Sequence, residues 1–253
     1  MPNLTVDGQT VYYVEAGSRR PTLVLVHGSG GDHNTWNPQI EGLASVATVV
    51  ALDLPGHGAS SGDGRDTISG YGNEVRRFLA GLGRGPVILG GHSMGGAIAL
   101  ALALDAPQLL RGLVLVGTGA RLKVLPQMFE LLEKNYAEAV ALMTEHGWSP
   151  SSPAELKQLG SKIVLATRPD VTRGDFTACN RFDVMERLGE IRLPAIAIVG
   201  EEDRLTPPKY AEFLVARLAG ARLVRVPSAG HFVSLEQPDE VNRAIRDFLV
   251  GFA

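Results

Sequence analysis

Three side chains of this 253-residue chain have the types and surroundings for acyl-transfer chemistry: Ser93, Asp203 and His231. Ser93 sits in Gly91-His92-Ser93-Met94-Gly95, a G-x-S-x-G sequence set between the apolar runs "VILGG" and "AIALALAL". Glycines this close together weaken regular structure and mark a turn of tight backbone geometry. A serine on such a strand-to-helix turn stands clear of the sheet. Its hydroxyl is a weak nucleophile until a base removes the proton and a third group orients that base. Of the six histidines (His27, His33, His57, His92, His146, His231), only His231 follows the last expected strand, in the loop "SAGHFVSLEQP". The acid belongs at the end of an earlier strand, and "AIVGEEDRLTPP" places Asp203 there, with Glu201 and Glu202 expected on the exposed side of the turn. The stretch "GTGARL" after Val116 offers no acid. Plainer readings exist: Ser93 as a turn residue, His231 as a hydrogen-bonded core imidazole, Asp203 as a cap for a helix near Pro207. The chain order Ser93, Asp203, His231 favours catalysis.

The elements that must position these residues follow from hydrophobic periodicity. "NLTVDGQTVYYV" alternates around Asp7-Gly8, which predicts a hairpin. "TLVLVHG" and "TVVALDLPGHG" are short β-branched runs closed by glycine or proline, as buried parallel strands are. Between them Trp36, Ile40, Leu43 and Val46 recur at helical spacing. A helix through "YGNEVRRFLAGLG", a strand "PVILGG", a helix from Met94 to about Ala106 and a strand "GLVLVG" continue the alternation. This predicts an α/β fold, a mostly parallel central sheet with helices on both faces. Residues 120–190 break the pattern with helix-compatible stretches only, and "LPAIAIVG" then resumes it. The expected organisation is a core of residues 1–119 and 191–253 carrying a helical insertion, 120–190.

Composition excludes several partners. Apolar residues are 45% and charged residues 20%, with a net charge of -3, so nothing draws the chain to nucleic acid. Cys179, the single cysteine, has no partner for a disulfide or a zinc site and reads as a small, half-buried hydrophobe. No G-x-G-x-x-G or P-loop lysine follows a strand, so no cofactor or metal is expected. "MPNLTVDGQT" lacks the pattern of a signal peptide, and the apolar run from Met94 to Leu104 is short of the roughly 20 residues of a membrane span. A cytoplasmic protein without membrane contact is expected.

Taken together, "VHGSGG", "DLPGHGAS", "GHSMGG", "GEEDRLTP" and "GHFVSLEQP" resemble the α/β-hydrolase superfamily over nearly the whole chain. The resemblance implies a core carrying the triad and a cap formed by the insertion. It also implies an oxyanion hole built from backbone N–H groups: that of Met94, and that of Ser29 with Gly30 as the alternative. His27, Asp53 and His57 are expected to shape loops or to belong to polar networks, with His27 holding the oxyanion loop, and His92 is expected to be structural. Met128, Met143 and Met185, with Phe129, Tyr136, Trp148, Phe176 and Phe182, are expected mostly to pack the insertion, some of them facing an apolar pocket. Near-balanced charge in the insertion predicts no clamp for a charged substrate. The implied reaction is hydrolysis of esters or lactones with small to medium apolar acyl groups through an acyl-enzyme. "HGSGG" with Trp36 is also similar to carbon–carbon bond hydrolases of ring-fission products, although Phe232 follows the base where several of those carry tryptophan. "SLEQPDEV" is similar to enol-lactone hydrolases. A receptor-like member that binds but hardly turns over is the remaining alternative.

Overall fold

A computed structural model describes residues 3–252; the outermost ends of the expected core, residues 1–2 and 253, lie outside them. Asp7 and Gly8 both take positive φ, 49° and 78°, as a two-residue hairpin turn requires. They join β1 (Asn3–Val6) to antiparallel β2 (Gln9–Ala16). β3 (Thr22–Val26), β4 (Thr48–Leu52), β5 (Val87–His92), β6 (Leu110–Val116), β7 (Ala195–Gly200) and β8 (Arg222–Val226) complete the sheet. Its order is β1-β2-β4-β3-β5-β6-β7-β8. β2 is antiparallel to β4, and every pairing from β4 to β8 is parallel.

Helices α1 (Asn37–Leu43), α2 (Ile68–Leu82) and α3 (Met94–Asp105) alternate with the first strands. Four more lie between β6 and β7: α4 (Pro126–Lys134), α5 (Tyr136–Gly147), α6 (Ala154–Ala166) and α7 (Pro169–Arg181). The helix-compatible stretch "QMFELLEKNYAEAVALMTEHG" (127–147) forms two helices, because Asn135 leaves helical geometry (φ -152°, ψ 81°) and caps α5 by accepting from the Glu138 N–H. α8 (Pro208–Val215), α9 (Val233–Glu236) and α10 (Pro238–Leu249) follow β7 and β8.

Alternate residues of one strand feed opposite faces. Val24 and Val26 pack with Tyr71, Val75 and Phe78 of α2 and with α3, whereas Leu23 and Leu25 pack with Leu43 of α1 and Ile245 and Phe248 of α10. Burying each such side chain contributes about 1.5–3 kcal/mol. α3 is buried all round, from Met94 to Ala103, so it lacks the polar stripe of a surface helix. Met128, Leu132, Val140, Met143 and Val164 form a separate small cluster within the inserted helices.

Candidate active site

The turn between β5 and α3 holds Ser93 at φ 53°, ψ -115°, a conformation that costs a non-glycine residue about 1–3 kcal/mol. The surroundings enforce it. Ser93 N–H donates to Val116 O (2.9 Å), and its carbonyl accepts from Thr118 Oγ1 (2.7 Å) and Gly96 N–H (3.0 Å). The glycines are needed for space. A Cβ on Gly91 would lie 2.1 Å from the Gly95 carbonyl, and one on Gly95 would lie 2.2 Å from Val26 O.

His231 and Asp203 meet at the ends of loops after β8 and β7. Asp203 Oδ2 accepts from His231 Nδ1 at 2.9 Å and from Thr206 Oγ1 at 2.8 Å. Its other oxygen, Oδ1, accepts from the N–H groups of Leu205 and Thr206. One carboxylate therefore both shapes its own loop and orients the imidazole; it does not cap α8, whose N-cap Pro207 has no side-chain bond. Burial alone would push this carboxyl up, but His231 and the Thr206 donors hold it below the usual value. Nε2 of His231 makes no hydrogen bond among the described residues. Ser93 and His231 line the same cavity, and no hydrogen bond joins Ser93 Oγ to the ring among the described residues.

His92 holds His231 from behind. Its Nε2 donates to the His231 carbonyl (2.9 Å), and burial lowers its pKa to about 3, so the ring stays neutral. The His231 N–H reaches Gly147 O at the end of α5.

The loop after β3 is held on every side. Leu54 N–H donates to His27 Nε2, so the proton sits on Nδ1 and is donated to Gly28 O (2.8 Å). Burial first, and then His57, lower the His27 pKa to about 4, which keeps this neutral form. Gly31 N–H donates to the same carbonyl. Gly30 N–H is committed to Asp175 Oδ2 (2.8 Å). That leaves the N–H of Ser29 without a hydrogen bond among the described residues, as is that of Met94 at the start of α3.

Ser93, His231 and Ser29 open onto a cavity of about 430 Å³. Met128, Met143, Val164 and Phe176 of the inserted helices supply much of its apolar wall. Met185 lies instead against the main core, and Trp148 stacks on Phe232 with centroids 4.6 Å apart. Lys123, Arg204 and Lys209 also line it and no carboxylate among the described residues does, a cationic bias that the charge of the insertion does not reveal because Arg204 and Lys209 follow β7. Cys179 is buried rather than half-buried. Its Sγ lies 3.5 Å from Ser29 Oγ, and burial pushes the thiol up to about 12, which makes it no nucleophile.

The residue that sequence reasoning missed is Asp175. It is wholly buried, and besides Gly30 it binds His57 Nε2 (2.9 Å) and Tyr71 Oη (2.5 Å). Its helix carries two aspartates, Asp170 and Asp175, among many polar residues, and nothing in "RGDFTACN" marks the second as inward-facing. Asp53 shapes its loop as expected, accepting from the N–H groups of His33 and Ala59. Among the described residues no group of three or more His, Cys, Asp or Glu side chains could hold a metal ion. No helix among them is long and apolar enough to cross a membrane.

A family model described as "Alpha/beta hydrolase family" matches residues 23–244. A solved thermophilic esterase superposes with a TM-score of 0.89 at 36% identity, covering 99% of this chain and 97% of that one. The enol-lactonase from Burkholderia xenovorans LB400 gives 0.91 at 25% identity, over 98% of this chain and all of that one. The pimeloyl-[acyl-carrier protein] methyl ester esterase of Neisseria meningitidis serogroup B is 27% identical over 243 residues, 90% of this chain and 93% of its own length.

Proposed function

Because the chain belongs to the alpha/beta hydrolase family, we propose that it is a serine hydrolase of carboxylic esters or lactones carrying small to medium apolar acyl groups. The observation that carries this reading is a single cavity onto which open a serine on a strained turn and an imidazole already paired with a buried carboxylate. Ser93 Oγ attacks the acyl carbon while His231 Nε2 takes its proton, a contact that closes when substrate binds. The N–H groups of Ser29 and Met94 receive the oxyanion, aided by the N-terminal dipole of α3. His231 then returns the proton to the leaving alkoxide, and Asp203 stabilises the imidazolium between the two steps. Water activated by the same imidazole attacks the acyl-Ser93 ester and frees the acid. For a lactone the leaving alkoxide stays tethered to the acyl group, and no other part changes.

In this reading residues 120–190 are a cap over the core, with Met128, Met143 and Phe176 contacting the acyl chain. Trp36 packs in the core beside α1 and α10 and so lends no support to the carbon–carbon bond reading. The lone cysteine suits a cytoplasmic setting. The test is a panel of p-nitrophenyl esters and lactones of graded chain length, with fluorophosphonate labelling, on the wild type and Ser93→Ala. Turnover and labelling should both vanish in the variant. Labelling that survives Ser93→Ala refutes the assignment of the nucleophile.

A further inference from the structure

Gly30 has both of its backbone groups bound by the inserted helices. Asp175 on α7 accepts its N–H at 2.8 Å, and Thr167, just after α6, donates through Oγ1 to its carbonyl at 2.9 Å. Gly30 is at φ +66°, and a Cβ there would lie 2.9 Å from Val164 Cγ1, so the loop is pressed against α6 with no room to spare. Asp175 is anchored from the core side by the ring of His57, whose loop follows β4, and by the hydroxyl of Tyr71 on α2. His57 Nδ1 faces the Pro55 carbonyl at 3.0 Å and Nε2 faces Asp175. Both ring nitrogens therefore face acceptors, an arrangement that suits a doubly protonated ring, and although burial opposes its charge the neighbouring Asp175 raises the His57 pKa above its usual value. Neither Asp175 nor His57 reaches solvent.

This buried ion pair spans the core and the insertion, and the group it grips is the peptide adjoining Ser29. The Ser29 N–H shares a peptide plane with Gly28 O, which His27 and Gly31 fix from the other side. The direction of the Ser29 N–H is therefore set between two clamps, one built from the core and one from α7.

We propose that Asp175 is a positioning residue for the oxyanion hole, acting through Gly30, so that the hole is complete only while α7 is docked on the core. The proposal rests on the reading of Ser93 as nucleophile and Ser29 as oxyanion donor. Asp175 touches no substrate. Its effect falls on the transition state, where a donor displaced by about 1 Å costs about 10²-fold in rate.

The test uses Asp175→Asn and Thr167→Val, both of nearly unchanged volume, with active sites titrated by fluorophosphonate. In Asp175→Asn kcat should fall about 10²-fold while KM changes less than about threefold, and affinity for a trifluoromethyl ketone should fall by the same factor as kcat/KM. Thr167→Val should shift the same three quantities in the same direction by a smaller factor. A residue that merely held the fold together would lower the melting temperature and leave kcat per titrated site unchanged, and that result overturns the inference. Should Asp175→Asn fail to fold, an unchanged kcat in Thr167→Val overturns it instead. A wild type with no Ser93-dependent turnover would sink the underlying reading, which is a separate outcome.

Discussion

Replacing Asp203 by asparagine separates the two duties of one carboxylate. In the wild type Oδ1 accepts from the N–H groups of Leu205 (2.9 Å) and Thr206 (2.8 Å), and Oδ2 accepts from His231 Nδ1. An asparagine keeps an oxygen for the two loop donors and turns its NH₂ toward the imidazole. The flipped amide would set that NH₂ against two N–H groups, so the orientation is decided. His231 Nδ1 must then accept, and the neutral ring carries its proton on Nε2, the nitrogen that has to receive the proton of Ser93. In a serine triad this wrong tautomer costs about 10⁴ in kcat, or about 5 kcal/mol. Asp203→Ala differs in kind, because it also strands two N–H groups at about 1–3 kcal/mol each. Initial rates on p-nitrophenyl butyrate per titrated site, with melting temperatures alongside, check both variants. Asp203→Asn should be nearly inactive and nearly as stable as the wild type, and Asp203→Ala inactive and distinctly less stable. An asparagine variant within tenfold of the wild-type kcat refutes the assignment of Asp203.

Acid and alkali should each weaken the fold for a nameable reason. His27 and His92 stay neutral when folded down to about 4 and about 3, so as pH falls below 6.5 the unfolded chain binds protons first. Stability then drops by roughly 1.4 kcal/mol per pH unit for each ring, and urea midpoints that are flat from pH 6.5 to 4.5 would contradict this. Burial opposes the charging of His57, but the Asp175 carboxylate beside it outweighs that and raises its pKa. Its contribution is full below 6.5 and is lost as pH rises through the folded value, so His57→Gln should be less sensitive to alkali than the wild type, and equal slopes in urea titrations would disprove it. Gly95→Ala, whose methyl would sit 2.2 Å from Val26 O, should cost about 3 kcal/mol or more, whereas Gly189→Ala meets nothing within 4 Å and should be neutral by thermal melting.

Much of the candidate site's placement was legible because its residues are tied to local backbone signals. The glycines around Ser93, the strand before Asp203 and the loop holding His231 each leave a trace in a few consecutive residues. The hairpin at Asp7-Gly8 was equally plain, since positive φ has few residues to choose from. The break at Asn135 was not, because a single capping side chain outweighs helical propensity that runs on both sides of it. Asp175 stayed hidden for a different reason. Its partners Gly30, His57 and Tyr71 lie 145, 118 and 104 residues away, and no short window contains the pairing that buries it. Cys179 was misjudged in the same way, because the burial that silences its thiol comes from contacts distant in sequence.

The four helices between β6 and β7 begin and end side by side, where Arg121 pairs with Asp183 and Val184 N–H donates to Ala120 O, which invites transplanting that segment from a relative to change what the cavity accepts. Such a chimera would inherit an obligation. The donor segment must bring a carboxylate where Asp175 stands, a hydroxyl for Gly30 O and a backbone oxygen where Gly147 meets His231. A segment chosen only for the shape of its pocket wall would leave His57 Nε2 and the Gly30 N–H without the carboxylate they face in the interior, so successful exchanges should come from donors that match at these three points.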